Sequence, residues 1–244
     1  MFHPKGPSFR ELAVQALSST QRGYDLLAEK FDFTPFRTPQ PLLDAVGQHL
    51  DALGPFDTAI DLCCGTGAGI AMLRPRCRRL VVGIDFSQGM LEIARRILVE
   101  TSHKAKIELV RGDVLSLPFD AAFDLAVSFG AFGHILPKDE PRFVSEIARV
   151  LRPGGRFVFI TTFLPPMLSP QYLFSRLFNA AMHARNFLLR PPFIMYYLTF
   201  LLPDVARLLN RHGFAVEVRD MGFKGMWSAA RLVIATKHSP IERQ

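Results

Sequence analysis

The stretch Asp61-Leu62-Cys63-Cys64-Gly65-Thr66-Gly67-Ala68-Gly69 closes the short apolar run Thr58–Cys63 and leads into a helical pattern. A short apolar run bounded by glycines reads as a buried strand. The glycines let the backbone turn sharply and let a ligand come within contact of the chain. Asp61 lies just before the loop, and Asp85 closes a second apolar run, Leu80–Ile84, twenty residues after Gly65. A carboxylate at that strand end can accept hydrogen bonds from both ribose hydroxyls of a nucleoside. Loop and acids together describe a nucleoside-containing ligand lying across strand ends.

On either side of this unit, strand-like and helix-like segments alternate. Met90–Val99 reads as a helix with Ser87 as its N-cap. Ile107–Val110 and Phe123–Ser128 read as strands, and Glu140–Leu151 carries Phe143, Ile147, Val150 and Leu151 at helical spacing. Arg152-Pro153-Gly154-Gly155 is a stop and tight turn before a strand at Arg156–Thr162. A helix near Asp204–Arg211 and strands at Ala215–Arg219 and Leu232–Thr236 complete the series. The pattern predicts an α/β fold, doubly wound, with a mostly parallel seven-stranded sheet. One domain is expected over 1–244, with a helical N-terminal segment (1–50) broken at Thr34-Pro35 and at Thr38-Pro39-Gln40-Pro41. Residues 163–203 interrupt the alternation and are expected to form a helical lid insertion, too small for a core of its own.

The formal charge of +7 raises the question of nucleic acid. The densest basic cluster, Arg74, Arg76, Arg78 and Arg79, falls in a helix-to-strand loop, at the sheet edge opposite the ligand-binding one. It is expected to be a solvated face, and no nucleic-acid signature accompanies it. Cys63, Cys64 and Cys77 show neither metal-ligand nor disulfide spacing, so no metal is expected. The N-terminal residues lack a signal-peptide core, and Phe193–Leu202 is too short to span a bilayer. A cytoplasmic location is the expectation.

A nicotinamide dinucleotide would also use Asp85. Its fingerprint, however, is G-x-G-x-x-G, and Ile70 stands where the third glycine belongs. Asp61 would also face a pyrophosphate with like charge. A sulfonium ligand carrying an amino acid has the opposite preference, so the loop favours S-adenosylmethionine as cofactor. An NAD(P)-binding oxidoreductase, or a non-catalytic binding protein on the same scaffold, is the alternative, because fold does not fix function.

In order along about Tyr24–Phe159, the chain carries Tyr24-Asp25-Leu26-Leu27-Ala28, DLCCGTGAG (61–69), GIDFSQGML (83–91), GDVLSLPF (112–119), FDLAVSF (123–129) and EIARVLRPGGRFVF (146–159). In these pieces it resembles the class I S-adenosylmethionine-dependent methyltransferases, in particular the type 11 group that includes ubiquinone and menaquinone C-methyltransferases. The resemblance implies a Rossmann-like methyltransferase fold and a role for each matched residue. Asp61, Gly65 and Gly67 would hold the methionine part, with Thr66 in the same loop. Asp85 would bind the ribose, with Phe86 beside the adenine. Asp113 would face the adenine amino group and Val114 would cover its ring. Phe129 and Gly130 would line the path of the methyl, and Tyr24 would join the cofactor residues from the N-terminal side. One departure is Cys63, which stands at the family's first loop glycine; a side chain this small is expected to leave binding intact.

Methyl transfer from a sulfonium is an in-line displacement that asks chiefly for positioning and exclusion of water. An oxygen or nitrogen acceptor also asks for a base. His134, in the loop after the fourth strand, is the first candidate, and Tyr24 and His183 follow. Arg37 either pairs with the cofactor carboxylate or sits on the surface. Residues 163–203 contain Arg176, Arg185 and Arg190 and no acid. Leu173, Phe174, Leu177 and Phe178 suggest one apolar face, and three readings follow: a helical cap packed on the sheet, a pocket for a small lipophilic substrate, or shallow contact with an anionic membrane. Deleting the segment is expected to spare cofactor binding and abolish turnover. Oligomeric state is not legible in the sequence.

Overall fold

The computed structural model describes residues 3–98 and 104–239. Seven strands, β1 (Phe56–Leu62), β2 (Cys77–Asp85), β3 (Lys106–Arg111), β4 (Phe123–Ser128), β5 (Leu151–Thr161), β6 (Phe214–Asp220) and β7 (Arg231–Lys237), form one sheet. Its order is β3-β2-β1-β4-β5-β7-β6. β1 to β5 run parallel, and β7 is antiparallel to both β5 and β6. The doubly wound, mostly parallel sheet expected from the alternation is present.

The period of two along each strand sends alternate side chains into two apolar layers. Ile60, Leu62, Val82, Ile84, Phe157 and Phe159 face one layer, together with residues of α6 (Glu140–Val150) and α8 (Asp204–Arg211). Ala59, Val81, Leu125, Val127 and Val158 face the other, covered by α3 (Gln40–Asp51), α4 (Ala68–Leu73) and α5 (Gln88–Leu98). Strands buried on both faces read as continuous apolar runs for this reason.

Two features differ from the sequence expectations in detail. The Arg152–Gly155 turn lies inside β5. Phe123 pairs with Leu151 but Leu125 with Arg156, so 152–155 leave the ladder as a bulge, with Gly154 at φ +77°. The arginine cluster is only partly a solvated face. Arg74 donates to the carbonyls of Leu98 and Ala105, and Arg76 to those of Gly47 and Met72 and to Asp51, while Arg78 and Arg79 are exposed.

Ahead of the sheet lie α1 (Phe9–Leu17), α2 (Thr20–Leu27) and a 3₁₀ turn, Ala28–Phe33. Asp25 ties α2 to the core by accepting from the Ser87 hydroxyl (2.6 Å) and the Gly89 N–H (2.9 Å). Ser87 itself caps α5 through the Met90 N–H (3.2 Å).

After β5, only Pro170–Leu188 is helical (α7); residues 189–203 are irregular between β5 and α8. Pro191, Pro192 and Pro203 remove backbone donors there. Phe193, Tyr196, Phe200 and Leu202 are buried, and Phe200 stacks on Phe132 at 4.4 Å between ring centres. Phe200 and Leu202 thus belong to the core shared with Phe143 and Phe159. Deleting the whole segment would therefore remove part of that core as well as a wall of the sheet's carboxyl edge. The expected apolar face of α7 is also divided. Phe178 turns inward against Tyr197 (4.8 Å), whereas Leu173, Phe174 and Leu177 are exposed.

Candidate active site

The sheet order reverses between β1 and β4, and ligands in such sheets sit at the carboxyl ends of the strands beside that point. A cavity of about 630 Å³ opens there, within the range that encloses a small ligand. β1 contributes Asp61 and the glycine loop, β2 contributes Asp85 and Phe86, and the β4 exit contributes Phe129 and Gly130. Tyr24, Arg37 and His134 also line it, as do Met195 and Tyr197 from the irregular segment.

The loop takes left-handed conformations at Cys63 (φ +58°), Gly65 (φ +52°) and Gly67 (φ +89°). At Gly65 and Gly67 this is free of side-chain conflict. Cys63 occupies the same region with a Cβ, a strain of about 1–2 kcal/mol relative to glycine. Gly69 meets a different constraint, since a Cβ there would lie 2.3 Å from Asp61 Oδ2. The missing side chain is the space that Asp61 uses.

Asp61 and Asp85 are both buried. Burial, and then the neighbouring Asp85, push the Asp61 carboxyl up to about 8, against a hydrogen bond from the Ile70 N–H. Burial also raises Asp85, opposed by hydrogen bonds from the N–H groups of Ser87 and Gly65, each 2.9 Å. Two desolvated carboxylates facing one cavity favour a cation between them. On the other side, Thr66 donates to Asp32 (2.6 Å), and Arg37 lies 3.4 Å from the same oxygen. The buried Arg37 Nε makes no hydrogen bond. Arg37 is paired with Asp32 and also lines the cavity, so this wall brings a cation to one end and the two acids to the other, which suits a ligand with a carboxylate and a cationic centre.

Tyr24 and His134, 110 positions apart, meet in this wall. The Tyr24 hydroxyl is 2.7 Å from His134 Nε2, and His134 Nδ1 is 2.5 Å from the Ile194 carbonyl. A carbonyl only accepts, so Nδ1 carries the proton and Nε2 accepts from Tyr24. Burial holds His134 below its ordinary range, opposed by the Ile194 carbonyl, and burial raises Tyr24, aided by Asp85. Both groups are therefore neutral at rest. Phe86 meets the Tyr24 ring edge-on at 6.3 Å.

The other candidates are placed elsewhere. Asp113 is exposed, with its carboxylate taken by the Leu115 N–H (2.9 Å), and Val114 packs in the core; neither lines the cavity. His183 is exposed on α7, 3.3 Å from the Tyr196 hydroxyl, outside the cavity lining. Among the described residues, no group of three or more His, Cys, Asp or Glu side chains is placed to hold a metal ion. Sequence reasoning assigned no role to Asp25, Asp32 or the Ile194 carbonyl. Asp25 lies in a quoted motif piece, which was the one available signal; a backbone carbonyl leaves none.

A sheet of this order, with acids ending β1 and β2 around a glycine loop, defines a nucleoside-cofactor site of the methyltransferase kind. A family model described as Methyltransferase domain matches residues 59–155. The demethylmenaquinone methyltransferase of Staphylococcus saprophyticus is 32% identical over 191 residues, 71% of this chain and 76% of the relative. That of Symbiobacterium thermophilum is 35% identical over 170 residues, 68% of this chain and 58% of the relative. Against the latter, the chain spans little more than half the relative's length. The fold is shared with an O-methyltransferase family protein from Burkholderia thailandensis (TM-score 0.67, 18% identity, 95% of this chain, 68% of that one). It is shared too with magnesium protoporphyrin IX methyltransferase from Synechocystis, solved with bound S-adenosylmethionine (TM-score 0.56, 17% identity, 81% and 79%). The chain belongs to the class I S-adenosylmethionine-dependent methyltransferases of the type 11 kind.

Proposed function

We propose that this chain binds S-adenosylmethionine in the β1–β4 cavity and methylates a small lipophilic acceptor bearing an acidic ring hydroxyl, of the quinol class. The observation that carries the cofactor reading is the pair of buried carboxylates, Asp61 and Asp85, facing one cavity that Arg37 also lines. The relatives' names, demethylmenaquinone methyltransferase, support a lipophilic quinol as acceptor.

The cofactor supplies a methyl group already activated by its sulfonium charge. Asp61 would hold its cationic amino-acid end, Arg37 its carboxylate and Asp85 its ribose hydroxyls. Phe86, Phe129 and Tyr24 make an aromatic wall that excludes water. The acceptor hydroxyl proton passes to the Tyr24 oxygen while the Tyr24 proton passes to His134 Nε2. His134 holds it as an imidazolium oriented by the Ile194 carbonyl. Neither tyrosinate nor a free hydroxide is needed, and the Ile194 carbonyl stabilises the imidazolium against the burial that opposes it.

Thermal unfolding with S-adenosylmethionine, S-adenosylhomocysteine, NAD and NADP tests the cofactor. A ligand at 100 times its dissociation constant stabilises by about 2.7 kcal/mol, a rise of roughly 5–10 °C for a chain of this size. A rise with the adenosyl ligands alone is the expected result, followed by labelled-methyl transfer to lipophilic quinols. A rise with a nicotinamide ligand instead would sink the proposal.

A further inference from the structure

α7 is built inside out. At 100° per residue, Leu173, Phe174, Leu177, Phe187 and Leu188 fall on one stripe, with the alanines Ala180, Ala181 and Ala184 between them. All of these are exposed, Leu177 at 72%, Leu188 at 75% and Phe187 at 85%. Three polar side chains anchor the helix from its inner side. Asn179 exchanges hydrogen bonds with both backbone groups of Tyr197 (2.8 and 2.9 Å), and Asn186 does the same with Phe193 (2.9 and 3.0 Å). Arg185 donates to the carbonyls of Ala16, Ser18 and Pro191. A helix that exposes its apolar stripe over 19 residues, and spends its polar face on anchoring, is shaped to receive a partner.

From this face we infer that α7 docks the protein on an anionic lipid surface, lying in the headgroup plane. Three observations choose that occupant. The exposed Arg176 and Arg190 stand beside the stripe and just past its end, and residues 163–203 contain no acid. A second copy offering the same face would bring those arginines no countercharge, whereas anionic headgroups supply it. The exposed apolar surface continues at the N-terminal end of the helix through Met167 (68%) and Leu168 (88%). Among the described residues no helix is long and apolar enough to cross a membrane, so the contact is superficial. Ser175, on the inward face of the same helix, lines the cavity. Docking therefore sets the cavity at the lipid surface, whatever the acceptor.

Co-sedimentation of the full chain with vesicles of phosphatidylglycerol and phosphatidylcholine, or of phosphatidylcholine alone, tests this. The chain pellets with the anionic vesicles and at least about tenfold less with the neutral ones. The double variant Leu177→Glu/Phe187→Glu lowers partitioning at least about tenfold, while its unfolding temperature and cofactor-induced shift match the parent, because both side chains are exposed. Arg176→Glu/Arg190→Glu removes the preference for anionic vesicles. The inference is overturned if the chain stays in the supernatant, if it binds neutral vesicles equally, or if the Leu177→Glu/Phe187→Glu variant pellets unchanged. A lipid-free dimer that this variant dissolves, without vesicle binding by the parent, would make a second copy the partner instead.

Discussion

Asp61 couples cofactor binding to pH in a way the structure makes quantitative. Burial, and then the neighbouring Asp85, push its carboxyl up to about 8 in the ligand-free protein. At pH 6 only about 1% is ionised and at pH 7 about 10%. A cationic amino-acid end needs the ionised form, so the apparent affinity for S-adenosylmethionine rises about tenfold from pH 6 to 7 and levels off near pH 8. Above that the cofactor's own α-amino group, with an ordinary value near about 8, loses its charge and the gain ends. Asp61→Asn removes the slope and binds about 10- to 100-fold more weakly than the parent at pH 8, yet nearly matches it at pH 6.

Stability moves the opposite way. Asp61 and Asp85 are raised in the native state, which therefore holds more protons than the unfolded chain between their ordinary value of 3.8 and their native one. Unliganded stability then falls as pH rises through that window. Asp61→Asn deletes its share, so the unliganded variant melts higher than the parent at pH 8 while binding cofactor less well. Isothermal titration at pH 6, 7 and 8, with unfolding scans in the same buffers, reads both effects. Affinity that is flat over this range, or a variant equal to the parent at pH 8, would refute the reasoning.

The site and the core can also be probed by substitution. Tyr24→Phe and His134→Gln each lower kcat for methyl transfer by about 10²–10³-fold and leave cofactor affinity within about twofold, as separate binding and turnover assays will show. Because burial depresses His134, the acid limb of the parent's kcat profile lies below the ordinary histidine value. Arg37→Met weakens cofactor binding by about tenfold or more in isothermal titration, from loss of one charged hydrogen bond to the cofactor carboxylate. At the strained loop position Cys63→Gly keeps cofactor affinity, whereas Cys63→Val destabilises by about 1–2 kcal/mol in a denaturant titration. Phe200→Ala costs about 3–5 kcal/mol by the same measurement, since it removes a buried ring stacked on Phe132.

Asp61, Asp85 and the glycine loop were legible in the chain because a nucleoside site at strand ends draws on residues that follow one another at short range. The same locality made Ser87 recognisable as a cap, and β4 and α8 recognisable at their observed bounds. Asp113 and Val114 were matched from the family pattern, yet they lie outside the cavity lining, because a motif piece records order along the chain and not the turn of a loop. Arg74 and Arg76 read as a surface charge cluster. Their guanidinium groups instead satisfy carbonyls from other elements, which no local pattern announces.

By itself the sequence determined the strand-and-helix alternation, the acids at the strand ends and the glycine turn. These depend on periods of two and 3.6 residues and on backbone freedom at single positions. Only the tertiary structure decided that Tyr24 meets His134 across 110 positions and that the Ile194 carbonyl sets its tautomer. It also decided that α7 turns Asn179, Arg185 and Asn186 inward and its apolar stripe outward. Helical periodicity fixes which side chains share a face. Which of the two faces meets the core depends on where Tyr197, Phe193 and Ala16 present their backbone groups, and that is a property of the folded chain alone.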